Sequence, residues 1–331
     1  MKKLGQLAVI IIMAFSIASA GKGKGPKTFD LASYESNKKA TADKYFKVAG
    51  GKHIKGVKKV FIPSFQTEFV TYIDKYSGGA TMNITMTNAD NAYLQSLTNS
   101  LYEKFVSSLR EAGIEVISQA ELQGNEDYQT LIAAGAEVPA EFKMKGTKKR
   151  DGRESLIFSP EGIPVYRGGS LTGTSVLFSS GGSVLKVKER MKLDRAEPKM
   201  IDDLGAAMIK FHVEVGFAEL VGKGKKVSGK SAFSISNCTV GVSNKVKSYS
   251  MGKKGKQYYL DKGASIQHNP KWDPKMELRA DAEIAEFETN VAFGSHGSYN
   301  AIIEKDVHSD VFDKYTTALV EMATAKLNES L

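Results

Sequence analysis

The residues from Gly224 to Ser231 (GKKVSGKS) fit the phosphate-binding loop formula G-x-x-x-x-G-K-[ST]. Such a loop holds nucleotide phosphates where a strand turns into a helix, because the amide groups at the helix N-terminus then face the phosphates. The residues that follow, 232–243 (AFSISNCTVGVS), are rich in serine and β-branched side chains and predict a strand instead. We therefore expect a basic hairpin turn here, without nucleotide binding.

The histidines give no metal-binding pattern. The chain contains no H-E-x-x-H motif, and no pair has metal-ligand spacing among the five histidines: His53, His212, His268, His296 and His308. His212 falls on the polar face of a predicted strand, where a solvent-facing histidine is expected. His296 lies in the loop-like sequence GSHGS and is the better candidate for a functional histidine.

Nucleophilic catalysis is equally poorly supported. Cys238 is the only cysteine, which excludes an intramolecular disulfide, and its strand context favours an inert side chain over a reactive thiolate. No G-x-S-x-G elbow is present. The carboxylate pairs, such as Asp202 with Asp203, occur where helices are expected to start. The sequence predicts no catalytic, cofactor-binding or metal-ligating residue, and no cofactor.

Composition predicts a folded chain that carries excess positive charge. The 331 residues are 41% hydrophobic and 25% charged, with a formal net charge of +9 at pH 7. The basic residues cluster at 22–27, 52–59, 143–153, 186–192, 223–230 and 245–256. These runs are interpreted either as solvated loops or as surfaces that attract anionic polymers of a cell envelope. Nucleic acid is not expected as a partner, because the runs lack interleaved aromatic residues.

The first twenty residues (MKKLGQLAVIIIMAFSIASA) predict an export signal. A basic start precedes an apolar run, and small residues surround the predicted cleavage site after Ala20. The apolar run is too short to span a bilayer. No cysteine lies near this site, which excludes lipid attachment by the bacterial lipoprotein route. We expect a mature protein in the periplasm or associated with the outer membrane.

Apolar spacing predicts the elements of the first half of the chain. A buried strand is expected at 57–65, then a loop or hairpin at 66–91. Leucines at helical spacing predict a helix over 94–109, which Gly113 ends. A short strand at 114–117 precedes a second helix, whose start is marked by the capping-box pair Ser118 and Glu121.

The second half is dominated by strand patterns. Apolar and polar residues alternate over 209–217 and again over 276–284, and further strands are expected at 232–246 and 257–266. A final helix is expected from about Asp310. The predicted class is α+β: a β-α-β-α half continued by antiparallel strands, with helices packed on one mixed sheet. We expect a signal peptide at 1–20, a polar leader at 21–55, and a single domain at 56–331 with a mobile basic loop near 143–153.

The order of these elements resembles the curli-secretion channel (CsgG-like) family and the related amino-terminal domain of TolB. The resemblance covers about half the chain and lies in an opening apolar strand (VFIPSF, 60–65), a long amphipathic helix, a short strand and helix (IEVISQAEL, 114–122), a later strand and a final helix. It implies an envelope assembly or secretion accessory protein, without catalytic residues to transfer. Curli channels are lipoproteins, and this chain lacks the acceptor cysteine.

The predicted function is that of an exported, non-catalytic cell-envelope assembly or secretion accessory protein. The alternative is an exported enzyme that acts on an anionic envelope polymer. The expected partners are further copies of the chain, an envelope protein or an anionic polymer, with peripheral or hairpin contact to a membrane. Two Ser/Thr/Gly-rich segments, 171–187 and 231–246, are interpreted either as edge hairpins of the sheet or as assembly surfaces.

Overall fold

The computed structural model describes residues 28–144, 146, 151–165, 187–223, 226–250, 256–260, 263–268, 277–280, 282–293 and 296–331. The predicted signal peptide and residues 171–186 of the first Ser/Thr/Gly-rich segment lie outside these ranges. The described residues form seven α-helices and a twelve-stranded mixed sheet, so the protein belongs to the α+β class that the sequence predicts.

The helices are α1 (Leu31–Ser36), α2 (Lys38–Tyr45), α3 (Asn91–Glu111), α4 (Gln119–Gln123), α5 (Glu126–Ala134), α6 (Val187–Leu204) and α7 (Lys305–Asn328). The first strands are β1 (Lys47–Ala49), β2 (Lys59–Ser77), β3 (Ala80–Thr87), β4 (Glu115–Val116), β5 (Ala140–Met144), β6 (Gly152–Phe158) and β7 (Ala207–Lys223). The later strands are β8 (Lys226–Ser243), β9 (Val246–Ser250), β10 (Lys256–Leu260), β11 (Gly263–His268), β12 (Leu278–Ala280), β13 (Ala285–Phe293) and β14 (His296–Ile303).

The main sheet is built around three long strands. Its order is β1-β11-β8-β7-β2-β3-β14-β13. Four more strands pair outside this order. β12 pairs with β8, both β4 and β6 pair with β2, and β5 pairs with β6. β2 runs parallel to β7 and β4, and β3 runs parallel to β14, whereas the other pairs are antiparallel. β9 and β10 form a separate two-stranded sheet. Successive side chains of a strand point to opposite faces of the sheet, so the alternation of apolar and polar residues along β7 gives the centre of the main sheet two distinct faces.

The main hydrophobic core lies on one of these faces, against α3 and α7. The rings of Phe65 and Phe211 stack with centroids 4.4 Å apart, and Phe105 of α3 packs on Phe211 at 4.9 Å. Each of these rings is fully buried, which stabilises the fold by about 1.5–3 kcal/mol per side chain. A second, smaller cluster joins α4, α5 and α6 to alternate residues of the sheet, including Phe61 and Met208.

Several local predictions are confirmed. The predicted first long helix is α3, which begins after the capping residue Asp90, and Gly113 follows its end at φ +79°. Ser118 and Glu121 form the predicted capping box, since each side chain bonds the other residue's backbone N–H group. The last helix begins at Lys305 and so starts one turn earlier than predicted.

Other elements differ from the prediction. β2 continues through residues 66–77, where a loop or hairpin was expected to begin, and the hairpin comes only at Gly78 and Gly79. Within the predicted leader, α1 and α2 are ordered parts of the fold, and Tyr34 and Phe46 are buried. β5 and β6 reach only the two ends of the predicted basic loop, at residues 143–144 and 152–153. Residues 145 and 147–150 of that loop lie outside the described residues.

The second Ser/Thr/Gly-rich segment is not an edge hairpin. Its main part lies in β8, which has β7 on one side and β11 and β12 on the other. Val240 is buried in the main core, as is Cys238. A charged residue at Val240 would therefore disrupt the core and would not report on an assembly contact. The small residues of this segment fit a central strand that is covered on both faces.

Candidate functional site

The face of the sheet opposite the main core carries a buried row of polar side chains. On β7, Lys210, His212 and Glu214 alternate with the core residues Phe211 and Val213. Each of the three polar residues is no more than 6% exposed. Neighbouring strands add buried polar residues to this face: Ser64, Gln66, Glu68 and Thr239. Polar groups at this depth are costly unless they are paired, so their contacts decide what the face can do.

Arg153 is the centre of the largest charge cluster on this face. Its Nη2 atom lies 3.1 Å from Oε1 of Glu68, and its Nη1 atom donates a short hydrogen bond to Glu214. Ser236 also donates to Glu214. Nε2 of His212 lies 3.2 Å from Oε2 of Glu68. We call Glu68, Arg153, His212 and Glu214 the central network; it joins β2, β6 and β7 by charge pairing across the sheet.

The central network controls the ionisation of Glu68. Burial alone would raise the pKa of this carboxyl, but the hydrogen bond and charge of His212, with the charge of Arg153, lower it well below its usual range. A carboxylate whose pKa is lower in the folded state than in the unfolded state stabilises the fold when the pH is above the unfolded-state pKa. This stabilisation is lost as the pH falls through the folded-state pKa. Glu68 is thus held ionised at neutral pH as a structural anion.

His212 corrects the sequence prediction. It was expected to face solvent, yet it is only 4% exposed and contacts Glu68. The period-two pattern correctly placed it on the polar face of its strand. The pattern could not show that this face is itself covered, since the covering residues come from other elements: Arg153 from β6 and Glu197 from α6.

A second buried ion pair lies beside the central network. Lys210 donates a short hydrogen bond to Glu197, and both side chains are about as buried as the core. Burial of two charges costs several kcal/mol for each ion, and close pairing offsets this cost. The pair attaches α6 to the polar face of β7.

A cavity of about 320 Å³ adjoins the central network. Arg153 and Glu214 form part of its wall, together with Glu219, Glu277 and Arg279. Nη2 of Arg279 lies 2.5 Å from Oε2 of Glu219. Glu277 differs from Glu68, because burial raises its pKa above the usual value. A hydrogen bond to Ser234 and the charge of Arg279 oppose this rise, and the carboxylates of Glu219 and Glu214 add to it. The cavity thus contains more acid than its arginines neutralise.

The raised pKa of Glu277 gives a prediction. A carboxyl whose pKa is raised by folding lowers stability as the pH rises through that pKa, because only the unfolded state accepts the charge without cost. We expect Glu277→Gln to raise the melting temperature at pH 8 by roughly 2 °C, and to have no such effect at pH 3.5, where both states are protonated. Scanning calorimetry at the two pH values measures this. Glu103→Gln, at an exposed carboxylate of α3, is the control; an equal gain at both pH values would contradict the assignment.

A basic groove of about 810 Å³ lies at the start of β2 and β7 and the end of β8. Four lysines line it: Lys58, Lys59, Lys245 and Lys247. Two basic runs separated by about 190 positions of sequence, 52–59 and 245–256, therefore meet in one groove. The groove also contains one carboxylate, Asp202, while Lys59 pairs with Glu115 at 2.8 Å. Lys58, Lys245 and Lys247 are exposed.

The remaining candidate residues lie apart from one another. His296 is exposed and begins β14, where its Nδ1 atom lies 2.5 Å from the hydroxyl of Thr81. Burial in β8 raises the pKa of the Cys238 thiol, which disfavours the reactive thiolate. Burial also lowers the pKa of His308 in α7 to about 4. Within the described ranges, no group of three or more His, Cys, Asp or Glu side chains is placed to hold a metal ion.

The phosphate-loop match has the wrong local structure for its chemistry. Gly224 and Lys225 lie outside the described residues, and residues 226–231 belong to β8, paired with β7. The chain continues as a strand and not as a helix, so no helix N-terminus follows the Gly-Lys-Ser of the motif. This agrees with the expected basic hairpin.

Comparisons with protein-family models, with characterised proteins and with solved structures find no match to this chain. Among the residues that the structure describes, no helix is both long enough and apolar enough to cross a membrane. Any function must therefore be argued from the central network, the cavity and the basic groove. Sequence reasoning identified the lysine runs of the groove as separate clusters, but it gave no signal for the cavity.

Proposed function

We propose that this protein is exported to the cell envelope and acts there, without catalysis, by binding an anionic envelope polymer and assembling with protein partners. The observation that carries the proposal is the convergence of Lys58, Lys245 and Lys247 on one groove of about 810 Å³. If these basic runs were only solvated loops, their lysines would not be expected to converge on one groove. A concave surface of one charge focuses the electrostatic potential and raises the local concentration of the opposite charge.

The lysines of the groove are suited to a flexible polymer more than to a small rigid anion. Ammonium groups on long side chains contact phosphate, sulfate or carboxylate groups as point charges and do not fix their geometry. The groove is open and three of its four lysines are exposed, so binding would use many weak contacts along a chain. Such binding depends strongly on salt, since exposed charges are screened over about 10 Å at 0.1 M ionic strength.

The remainder of the proposal comes from the sequence and from the order of elements. The signal-like first twenty residues favour export. The proposed topology, a β-α-β-α half continued by antiparallel strands with helices on one mixed sheet, supports a relationship to the curli-secretion channel family and the amino-terminal domain of TolB. Proteins of that kind would act as envelope assembly or secretion accessories, in the periplasm or at the outer membrane.

Strand β13 is a candidate for the assembly contact. Within the described residues β13 pairs only with β14, so its other edge has backbone groups free to pair with a further strand. Glu286 and Glu288 are exposed on this strand. Acidic side chains along an edge disfavour pairing of β13 with a second β13, because like charges would lie near each other. A basic strand, from another copy or from an envelope protein, would fit this edge better.

Binding to a model polyanion tests the groove. The triple change Lys58→Gln, Lys245→Gln and Lys247→Gln should weaken binding of dextran sulfate by about tenfold or more at 0.1 M salt, because three cationic contacts are lost. Fluorescence anisotropy with labelled dextran sulfate measures the Kd, and neutral dextran is the ligand control.

The matched control separates the groove from the net charge. Lys39→Gln, Lys44→Gln and Lys47→Gln remove the same charge from exposed lysines that do not line the groove. We expect this triple variant to bind within about twofold of the wild-type protein. Equal weakening by both triple variants would mean that net charge alone attracts the polymer, and the groove would have no specific role.

Export is tested separately by the N-terminus of the native protein. The order of basic, apolar and small residues predicts cleavage after Ala20, so the mature chain should begin at Gly21. Mass spectrometry of protein purified from its own host gives this residue. A native chain that retains Met1, or that carries a lipid, would refute the export route.

A further inference from the structure

The two outermost strands of the main sheet lie in segments of opposite charge. β13 ends the strand order on one side, and β1 ends it on the other. Residues 282–304, which contain β13, include four glutamates and no lysine or arginine. Residues 38–59, which contain β1, include eight lysines and a single acidic residue, Asp43. We call β13 the acidic edge of the sheet and β1 the basic edge.

The exposed carboxylates of the acidic edge share one face of the sheet. Glu286 and Glu288 are exposed, whereas Phe287 between them packs against the main core. Alternate residues of a strand point to the same face, so both carboxylates lie on the face opposite the main core. This concentration of negative charge stands out in a chain whose formal charge is +9.

The basic edge has the matching arrangement. Lys47 is exposed, whereas Val48 beside it packs against the main core. Lys47 therefore lies on the same face of the sheet as the two glutamates of the acidic edge. Lys52 is exposed just after the strand. The one nearby carboxylate, Asp43, already pairs with Lys326 at 2.6 Å.

Each edge also has backbone groups that can pair with a further strand. Within the described residues, β13 pairs only with β14, and β1 pairs only with β11. Addition of a strand to such an edge forms new main-chain hydrogen bonds. Charge then decides which strand is accepted, because opposite charges at facing positions stabilise a strand pair and like charges destabilise it.

We propose that the acidic edge of one copy binds the basic edge of a second copy, so that their main sheets join through β13 and β1. This inference rests on the assembly part of the proposed function and names the basic strand that β13 accepts. In the joined sheet, Lys47 lies near Glu286 and Glu288 on one face. Val48 and Phe287 lie on the other face, towards the main cores. A second copy fits because one chain provides both edges, with their charges on matching faces.

The contact is head-to-tail, because the two edges that meet are different. Repetition of such a contact closes into a ring or continues as a filament. Pairing of two acidic edges, or of two basic edges, would place like charges near each other. β1 has only three residues, so we expect a weak contact that salt weakens further.

Sedimentation velocity of the full chain, purified from its own host, tests the contact without any polymer. We expect the mean mass of the wild type to increase with protein concentration up to about 0.5 mM, and to increase less when the salt is raised from about 0.05 M to 0.5 M. A mass of one chain at every concentration would overturn the proposal.

Charge reversal tests whether the two edges meet. Glu286→Lys with Glu288→Lys reverses the acidic edge, and Lys47→Glu with Lys52→Glu reverses the basic edge. Each double variant alone should associate at least about tenfold more weakly than the wild type, because its two edges then carry the same charge. An equal mixture of the two variants should recover association, since each basic edge then has an acidic edge to bind. Association that persists in either variant alone, or that does not return in the mixture, would overturn the proposal.

Two controls separate the edges from folding and from the groove. All four changed side chains are exposed, so both variants should keep the wild-type melting temperature. Glu103→Lys with Glu111→Lys makes the same charge change at exposed residues of α3 and should associate like the wild type. The groove variant leaves both edges unchanged and should also associate normally. The polymer assay is run below the protein concentration at which the wild type associates, because its control variant changes Lys47. A monomeric wild type that binds dextran sulfate through the groove would refute only the edge contact, whereas normal association without groove binding would refute only the polymer site.

Discussion

Replacing Arg153 with methionine should lower the free energy of unfolding by about 3–5 kcal/mol at pH 7, which is the usual cost of removing one member of a buried ion pair. Arg153 pairs with both Glu68 and Glu214, whose side chains are each 8% exposed. Without the guanidinium group, two buried carboxylates would remain close together. The loss should shrink as the pH falls through the acid range. Without the charge of Arg153, which lowers the pKa of Glu68 in the wild type, Glu68 becomes protonated more readily, and its repulsion with Glu214 is relieved.

Urea denaturation at pH 7 and pH 4 measures this effect. Arg110→Met, at an exposed arginine of α3, is the matched control and should change stability by less than about 0.5 kcal/mol. Adding Glu68→Gln and Glu214→Gln to Arg153→Met should recover part of the loss, since no unpaired charge then remains. A loss below about 1 kcal/mol for Arg153→Met would show that the central network contributes little.

The second large effect is expected at the pair of Lys210 and Glu197. Lys210→Met should destabilise the protein by about 3–5 kcal/mol, because it removes the ammonium group from a buried ion pair whose carboxylate, Glu197, is 4% exposed. The double change Lys210→Met and Glu197→Met replaces the ion pair with apolar side chains of similar size. We expect the double variant to unfold within about 1 kcal/mol of the wild type, or to be more stable.

A double-mutant cycle from denaturant unfolding gives the coupling between the two residues. Lys39→Met, on the exposed face of α2, controls for the loss of a lysine. If the double variant is as unstable as Lys210→Met alone, the cost arises from lost packing and not from breaking the ion pair.

The strand β7 illustrates how much of the fold is local in origin. Alternation from Ile209 to Phe217 predicts both the strand and which residues face the main core, since neighbouring side chains of a strand must point to opposite faces. The same pattern could not predict that Lys210, His212 and Glu214 are buried. Their cover comes from residues of other elements, Arg153 of β6 and Glu197 of α6, and a period-two pattern contains no information on how elements pack together.

β2 shows a different limit. Its first residues are apolar and were predicted as a strand, but Gln66, Thr67 and Glu68 are polar and resemble a loop. They are buried in the structure, because the strand continues between β7 and β6. Gln66 donates to the hydroxyl of Ser64, and Glu68 pairs with Arg153 and His212. Where tertiary pairing satisfies polar residues, propensity and hydropathy underestimate the length of a strand.

A helix start with a local capping signal could be predicted, although the last helix begins at Lys305 and not near the expected Asp310. Asp90 caps α3, and the capping box of Ser118 and Glu121 starts α4, both through contacts within three residues. The candidate sites were not predictable in this way. The lysines of the groove were visible as two runs, whereas the cavity of Asp74 and Glu277 depends on residues from several strands that only folding brings together.

The salt dependence of polyanion binding tests the proposed function most directly. Log Kd for dextran sulfate, measured against log salt concentration, should give a straight line whose slope reports the number of cationic contacts. For Lys58→Gln, Lys245→Gln and Lys247→Gln, we predict a slope that is smaller than the wild-type slope by about two to three, or about one for each lost contact. The control at Lys39, Lys44 and Lys47 should keep the wild-type slope. Equal slopes for the wild-type protein and the groove variant would contradict the assignment of this groove as the polymer-binding site.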